Sequence, residues 1–246
     1  MSGQSLDSEV VEAIPTDEGI KGDCTAPKVS LVSMPMIVNS SGRSLECGVD
    51  EAGRGSFFGR LYVGAVIFPV HIELDPSIVK DSKRFTSHRR RKEARDYILE
   101  RALYTNVAYA EPDAIDRYGI QSCLYRTMHL AIEGLGVKPE HLLIDGDRFE
   151  PYQDIPYELK IKGDANYFSI AAASILAKVA HDEHILEMLD QHGDLEIYDL
   201  RKNMGYGTAK HRDALKQHGV SQFHRKTFCE KTLGQRPTLG SDQCLI

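Results

Sequence analysis

The chain has 246 residues, 41% of them hydrophobic, enough for one full core or at most two small ones, so one domain is the default. Five cysteines (Cys24, Cys47, Cys123, Cys229 and Cys244), an odd number with no C-x-x-C spacing, argue against a disulfide framework and a zinc ribbon and fit reduced thiols in a cytoplasmic protein. A formal net charge of −6 speaks against a nucleic-acid partner in its sum, which makes its distribution along the chain the more informative quantity.

In chain order, residues 1–44 lack a sustained apolar period and are rich in Ser, Gly, Pro and acidic residues, which reads as a flexible extension. Its first residues are acidic where a signal peptide would be basic, and no run reaches the roughly 20 apolar residues of a membrane span, so no membrane partner is expected. Asn39-Ser40-Ser41 matches a glycosylation sequon, which without a secretory route has no use. The folded domain is expected over 45–233, followed by a loose tail over 234–246. Leu45 to Asp50 and Leu61 to Phe68 are β-prone runs separated by a Gly-rich turn, a hairpin pattern. Ser87 to Ala102 reads as a helix, Asn106 to Ala110 as a strand, and Ile120 to Leu135 as a helix on the spacing of Leu124, Met128, Ala131, Ile132 and Leu135. His141 to Asp145 is a short apolar strand ending on a carboxylate. Ser169 to Leu189 opens with small residues that would let a helix lie close to a sheet, and a last helix is expected over Ala209 to His218. A hairpin first and helices interleaved later point to an α/β fold with a central mixed sheet flanked by helices.

Residues 1–47 carry seven acids against three bases, which leaves −2 for everything after. Lys80 to Arg95 holds eight Lys or Arg against Asp81 and Glu93, and Arg201 to Lys226 holds seven against Asp213. On charge alone, solvated helix faces and phosphate contact are equally good readings of these stretches.

Acids interrupt otherwise buried elements at three places. Asp50 and Glu51 end a strand directly before Ala52-Gly53-Arg54-Gly55, and neighbouring strand residues face opposite sides unless the chain turns there. Asp145 ends the next apolar strand, with Asp147 as a decoy beside it, and Asp164 precedes the small-residue helix, where a simple complement to the helix dipole is the plainer reading. Together Asp50, Glu51, Asp145 and Asp164 could offer hard oxygen ligands to two divalent ions, Mg2+ or Mn2+. Asp182, in His181-Asp182-Glu183-His184, lacks the HExxH spacing and reads as part of a polar helix face. His211, His224 and Arg225 read as surface residues able to reach phosphate.

As whole strings, GVDEAGRG at 48–55, VKDSKRF at 79–85, LLIDG at 142–146, IKGDANYFSIAAASILAKVAHDE at 161–183, MGYGTAKH at 204–211 and FHRKTF at 223–228 closely resemble the ribonuclease HII family, the type 2 ribonucleases H. The resemblance implies a ribonuclease H-like fold and a four-acid, two-metal site on Asp50, Glu51, Asp145 and Asp164, with Asp50 bridging the ions. It implies that Gly53, Arg54 and Gly55 meet the 2'-hydroxyl region and that Tyr206 packs on the sugar after the ribonucleotide, the 2'-hydroxyl being what separates RNA from DNA. The expected substrates are RNA/DNA hybrids and duplex DNA carrying ribonucleotides, cut 5' of the ribonucleotide, by a chain expected to act as a cytoplasmic monomer. Ser56, where a proline is common, and Phe57-Phe58-Gly59-Arg60 depart from the pattern; the Phe-Gly pair resembles type 3 relatives, whereas Arg54 and Asp164 agree with type 2. A type 3 enzyme and a non-catalytic hybrid-binding module are the alternatives, the latter disfavoured because all four acids are present.

Overall fold

The computed structural model describes residues 11–14, 36–80 and 88–234. Its six-stranded sheet has the order β1-β4-β3-β2-β5-β6, with β1 at Val11–Ile14, β2 at Glu46–Ala52, β3 at Leu61–Ile67, β4 at Tyr104–Ala110, β5 at His141–Asp145 and β6 at Tyr157–Lys160. The expected hairpin is present, antiparallel from Cys47↔Ile67 to Ala52↔Tyr62. β5 runs parallel to β2 and β6 parallel to β5, so the sheet is mixed. The helices are α1 (Pro76–Lys80), α2 (His88–Arg101), α3 (Pro112–Tyr118), α4 (Ile120–Glu133), α5 (Phe168–Gln191), α6 (Leu200–Asn203), α7 (Ala209–His218) and α8 (Lys226–Cys229).

Side-chain alternation divides the core between the two faces of this sheet. Cys47 and Val49 of β2 join Leu61, Val63 and Ala65 of β3 in the layer covered by α4, while Tyr62 and Val66 face α2 and α5. The second layer is unusually thin at α5. A Cβ on Gly48 would stand 2.3 Å from the Ser169 carbonyl carbon, and one on Gly64 would stand 2.4 Å from the Ala173 oxygen. These two glycines and the small residues of SIAAAS therefore bring backbone against backbone directly below Asp50. A third cluster, including Phe58, Ile185, Leu189, Leu195 and Leu215, gathers the C-terminal helices around the end of α5.

Four features differ from the sequence reading. The strand β6 is a short edge strand of mostly exposed residues, and α3 is a helix opened by Pro112 and closed at Gly119; neither has the long apolar period that marks an element. Residues 36–44, assigned by composition to the extension, are built onto the domain. Met36 is buried, Ile37 bridges to Tyr167, and the amides of Ser40 and Ser41 donate to the Glu46 carboxylate at 2.6–3.1 Å. Val11–Ile14 also pairs with β4; the rest of residues 1–35, the segment 81–87 and the tail 235–246 lie outside the described residues, with Cys24 and Cys244 among them. Cys47, Cys123 and Cys229 are buried and unbridged, and no helix among the described residues is long and apolar enough to cross a membrane.

Candidate active site

Parallel pairing of β2 and β5 brings the acids together: Val49 pairs with Ile144, one residue before Asp50 and Asp145 on their strands. The strand continues through Ala52, so the glycine turn starts after Asp50 and Glu51 rather than between them. Asp50 is 5% exposed and faces two acids, the Ser174 hydroxyl and the Glu51 amide, which donates to its Oδ1 at 2.7 Å. Burial, and then the charges of Asp145 and Glu51, push the Asp50 carboxyl up to about 8. Burial also raises Glu51, opposed by Arg54, whose guanidinium stands 3.6 Å away. Asp145 Oδ1 accepts from the Gly163 amide at 2.7 Å, so the third acid is bonded to the residue beside Asp164.

Asp164 is buried in a 3-10 turn, Gly163–Ala165, that follows Lys162 in a left-handed conformation at φ 56°. Among the described residues no three of the His, Cys, Asp or Glu side chains already stand as a metal-holding group. The structure thus brings Asp50, Glu51 and Asp145 into mutual electrostatic contact, and it ties Asp164 to them through the backbone. Asp147 is exposed.

Beyond the acids, Gly53 takes φ +81° and opens a turn closed by the Ser56 amide on the Gly53 oxygen at 3.1 Å. A side chain at Gly53 would strike the His181 ring, 2.5 Å from its Cβ position. The turn is stitched to the loop carrying Tyr206: Ser56 and Tyr206 form an antiparallel bridge, and the Phe57 amide donates to the Gly205 oxygen at 2.8 Å. Tyr206 itself is 36% exposed, with its ring beside His181 and Lys178.

Four residues read as surface or polar-face groups are interior. Arg225 is fully buried, and its guanidinium donates to the oxygens of Gly53 (2.7 Å), Gly59 (3.0 Å) and Arg54 (3.1 Å), while burial draws its pKa down to about 10. His224 and His211 are buried, with their Nε2 atoms 3.0 Å apart, and His211 Nδ1 lies 3.1 Å from the Tyr206 oxygen. Burial lowers both histidines, His224 to about 3. Asp182 is fully buried between Lys178 (2.6 Å), His181 (3.1 Å) and Arg91 (3.3 Å). Part of the basic stretch of α2 is therefore spent on α5, Lys92 and Arg95 both pairing with Glu183. A buried arginine is invisible to a hydropathy reading because its partners are backbone oxygens more than 160 residues away in sequence.

Comparison with known proteins identifies the family and the fold. The family model for ribonuclease HII matches residues 47–231. A ribonuclease HII of Phocaeicola vulgatus is 43% identical over 195 residues, covering 79% of this chain and 93% of the relative. Among solved structures, the ribonuclease H2 of Pyrococcus horikoshii OT3 superposes with a TM-score of 0.64 at 24% identity, covering 77% of this chain and 97% of that one. Bst-RNase HIII in complex with Mn2+ superposes at 0.57 with 20% identity, covering 78% and 70%. At these identities the two structures show a shared ribonuclease H-like fold.

Proposed function

Because this chain belongs to the ribonuclease HII family, and with it to the endoribonucleases of the ribonuclease H class, we propose that it cleaves the RNA strand of RNA/DNA hybrids and cuts 5' of ribonucleotides embedded in duplex DNA, leaving 3'-hydroxyl and 5'-phosphate ends. The observation that carries the reading is the cluster of buried Asp50 with half-buried Glu51 and Asp145, in which burial and like charges hold Asp50 up at about 8. Such a set of oxygen donors suits hard divalent cations, and the Mn2+ complex of the type 3 structural neighbour is consistent with that donor chemistry. Asp50, Glu51, Asp145 and Asp164 would hold two ions, Mg2+ or Mn2+, which when bound supply water activation and stabilise the leaving oxygen.

The chain's own groups position the substrate. The turn Gly53-Arg54-Gly55 offers backbone and an exposed guanidinium to the ribose, and Gly55 leaves open space where a Cβ would stand. The exposed Tyr206 ring, bridged to that turn through Ser56, would pack against the following sugar, a role its exposure and its link to the turn support. Asp50→Asn tests the reading: cleavage in saturating Mn2+ should vanish while hybrid binding in metal-free buffer persists. Near wild-type turnover would overturn the four-acid site, and wild-type binding without cleavage would favour a binding module. A wild type that cuts continuous hybrids but not a lone ribonucleotide would favour type 3 behaviour.

A further inference from the structure

Ser56, His181 and Asp182 form a continuous buried chain of hydrogen bonds, Ser56 Oγ to His181 Nε2 at 3.2 Å and His181 Nδ1 to Asp182 Oδ1 at 3.1 Å, and all three residues are fully buried. With Asp182 held by Lys178 and Arg91, its carboxylate accepts the Nδ1 proton, which leaves Nε2 to accept the Ser56 hydroxyl. The burial that lowers the His181 pKa keeps the ring in that neutral form. Ser56 is fully enclosed, so this is not a nucleophile. Instead the ring stands at the junction of the two recognition loops: beneath Gly53, bonded to Ser56, and 5.9 Å from the Tyr206 ring centre.

We propose that the Ser56–His181–Asp182 relay is a positioning device that sets the distance between the Gly53-Arg54-Gly55 turn and the Tyr206 ring, and so determines preference for a lone ribonucleotide over a continuous hybrid. It rests on the substrate-binding roles given above to that turn and that ring. Asp50, Glu51, Asp145 and Asp164 lie outside the relay, so its loss alters choice of substrate more than the rate on hybrid.

The experiment compares wild type, Ser56→Ala, His181→Phe and the double variant on duplex DNA with one ribonucleotide and on a continuous hybrid, at fixed Mn2+ and salt. Loss of one neutral hydrogen bond, worth about 1 kcal/mol, should lower the ratio of kcat/KM values for the two substrates about five-fold in Ser56→Ala. The double variant should fall no further than the more affected single, because both remove one interaction. Imidazole 15N shifts provide a substrate-independent reading: His181 should be the Nδ1–H tautomer in both proteins, held by Asp182, with its Nε2 resonance shifted in Ser56→Ala by loss of the hydroxyl donor. If a melting curve shows Ser56→Ala unfolded, Ser56→Cys, a weak donor of similar size, replaces it. Equal slowing of both substrates, additive effects, or an unchanged ratio overturns the relay. A wild type that leaves the lone ribonucleotide uncut overturns the functional reading as well, and is recognised before any variant is made.

Discussion

Asp145 accepts a hydrogen bond from the Gly163 amide at 2.7 Å while its charge raises Asp50 across the β2–β5 pair. One carboxylate thus does two jobs, bracing the turn that carries Asp164 and repelling a neighbour. Asp145→Asn separates them, because a carboxamide oxygen still accepts from Gly163 but carries no charge. Cleavage should fall by at least about 100-fold, since even outer groups of metal sites cost 10–100-fold when lost. In metal-free buffer the variant should melt higher than wild type, relief of like charge on the order of 1 kcal/mol giving about 2–4 °C. A lower melting temperature would show that the hydrogen bond to Gly163 needs the charge.

Asp182→Asn gives the opposite pattern. The residue orients His181 in the positioning relay but is no candidate metal ligand, and it is buried between Lys178, His181 and Arg91. Removing one partner of a buried pair leaves the others uncompensated, so the variant should lose on the order of 3 kcal/mol in a urea titration. Its cleavage at low temperature, where it remains folded, should still be measurable. Undetectable cleavage by a folded variant would place Asp182 in the chemistry.

Tyr206→Ala separates reading a junction from cutting a bond. An aromatic ring packs on a deoxyribose, whereas a 2'-hydroxyl at that sugar would be crowded or desolvated. A discrimination of one or two kcal/mol predicts a roughly five- to thirty-fold drop in the kcat/KM ratio of lone ribonucleotide to hybrid. Equal slowing of both would make the ring a general positioning group.

Two truncations locate the start of the domain. A chain beginning at Met36 loses the edge strand Val11–Ile14 but keeps every residue bonded to Glu46 and Phe168, and it should cleave like the full chain. One beginning at Ser44 loses the Ser40 and Ser41 donors to Glu46, which is 3% exposed, and the Ile37 oxygen that accepts from the Phe168 amide at 2.9 Å. A buried carboxylate stripped of its donors costs about 3 kcal/mol, so the shorter chain should melt well below the longer one. Identical melting would return the boundary to Leu45.

The sequence already carried the elements whose burial is periodic or continuous. The strands around Val49, Val63 and Leu143 and the helix around Leu124 and Met128 follow from spacing alone, and Asp50, Glu51 and Asp145 stand out because they fall at the ends of such runs, whereas Asp164, in a turn before α5, does not. What spacing could not carry is polar burial. Arg225 bonds to Gly53 across 172 positions and Ser56 to His181 across 125, so a charged or hydroxylated side chain that local rules put in solvent is enclosed by partners only the fold supplies. The short edge strand β6 and the bonding of residues 36–41 escaped for a related reason: their order comes from backbone pairing with distant segments rather than from apolar content.

The backbone contact of Gly48 and Gly64 with α5 has a further effect, on how this molecule can vary over generations. With no side chain between them, β2 and α5 form one block that carries Asp50 at one end and His181 at the other, and neither glycine can become even alanine without moving both. Neutral drift along that seam is closed. Substitutions that leave this block in place are those in the loops outside the seam, such as 53–59 and 203–208, which carry Ser56 and Tyr206.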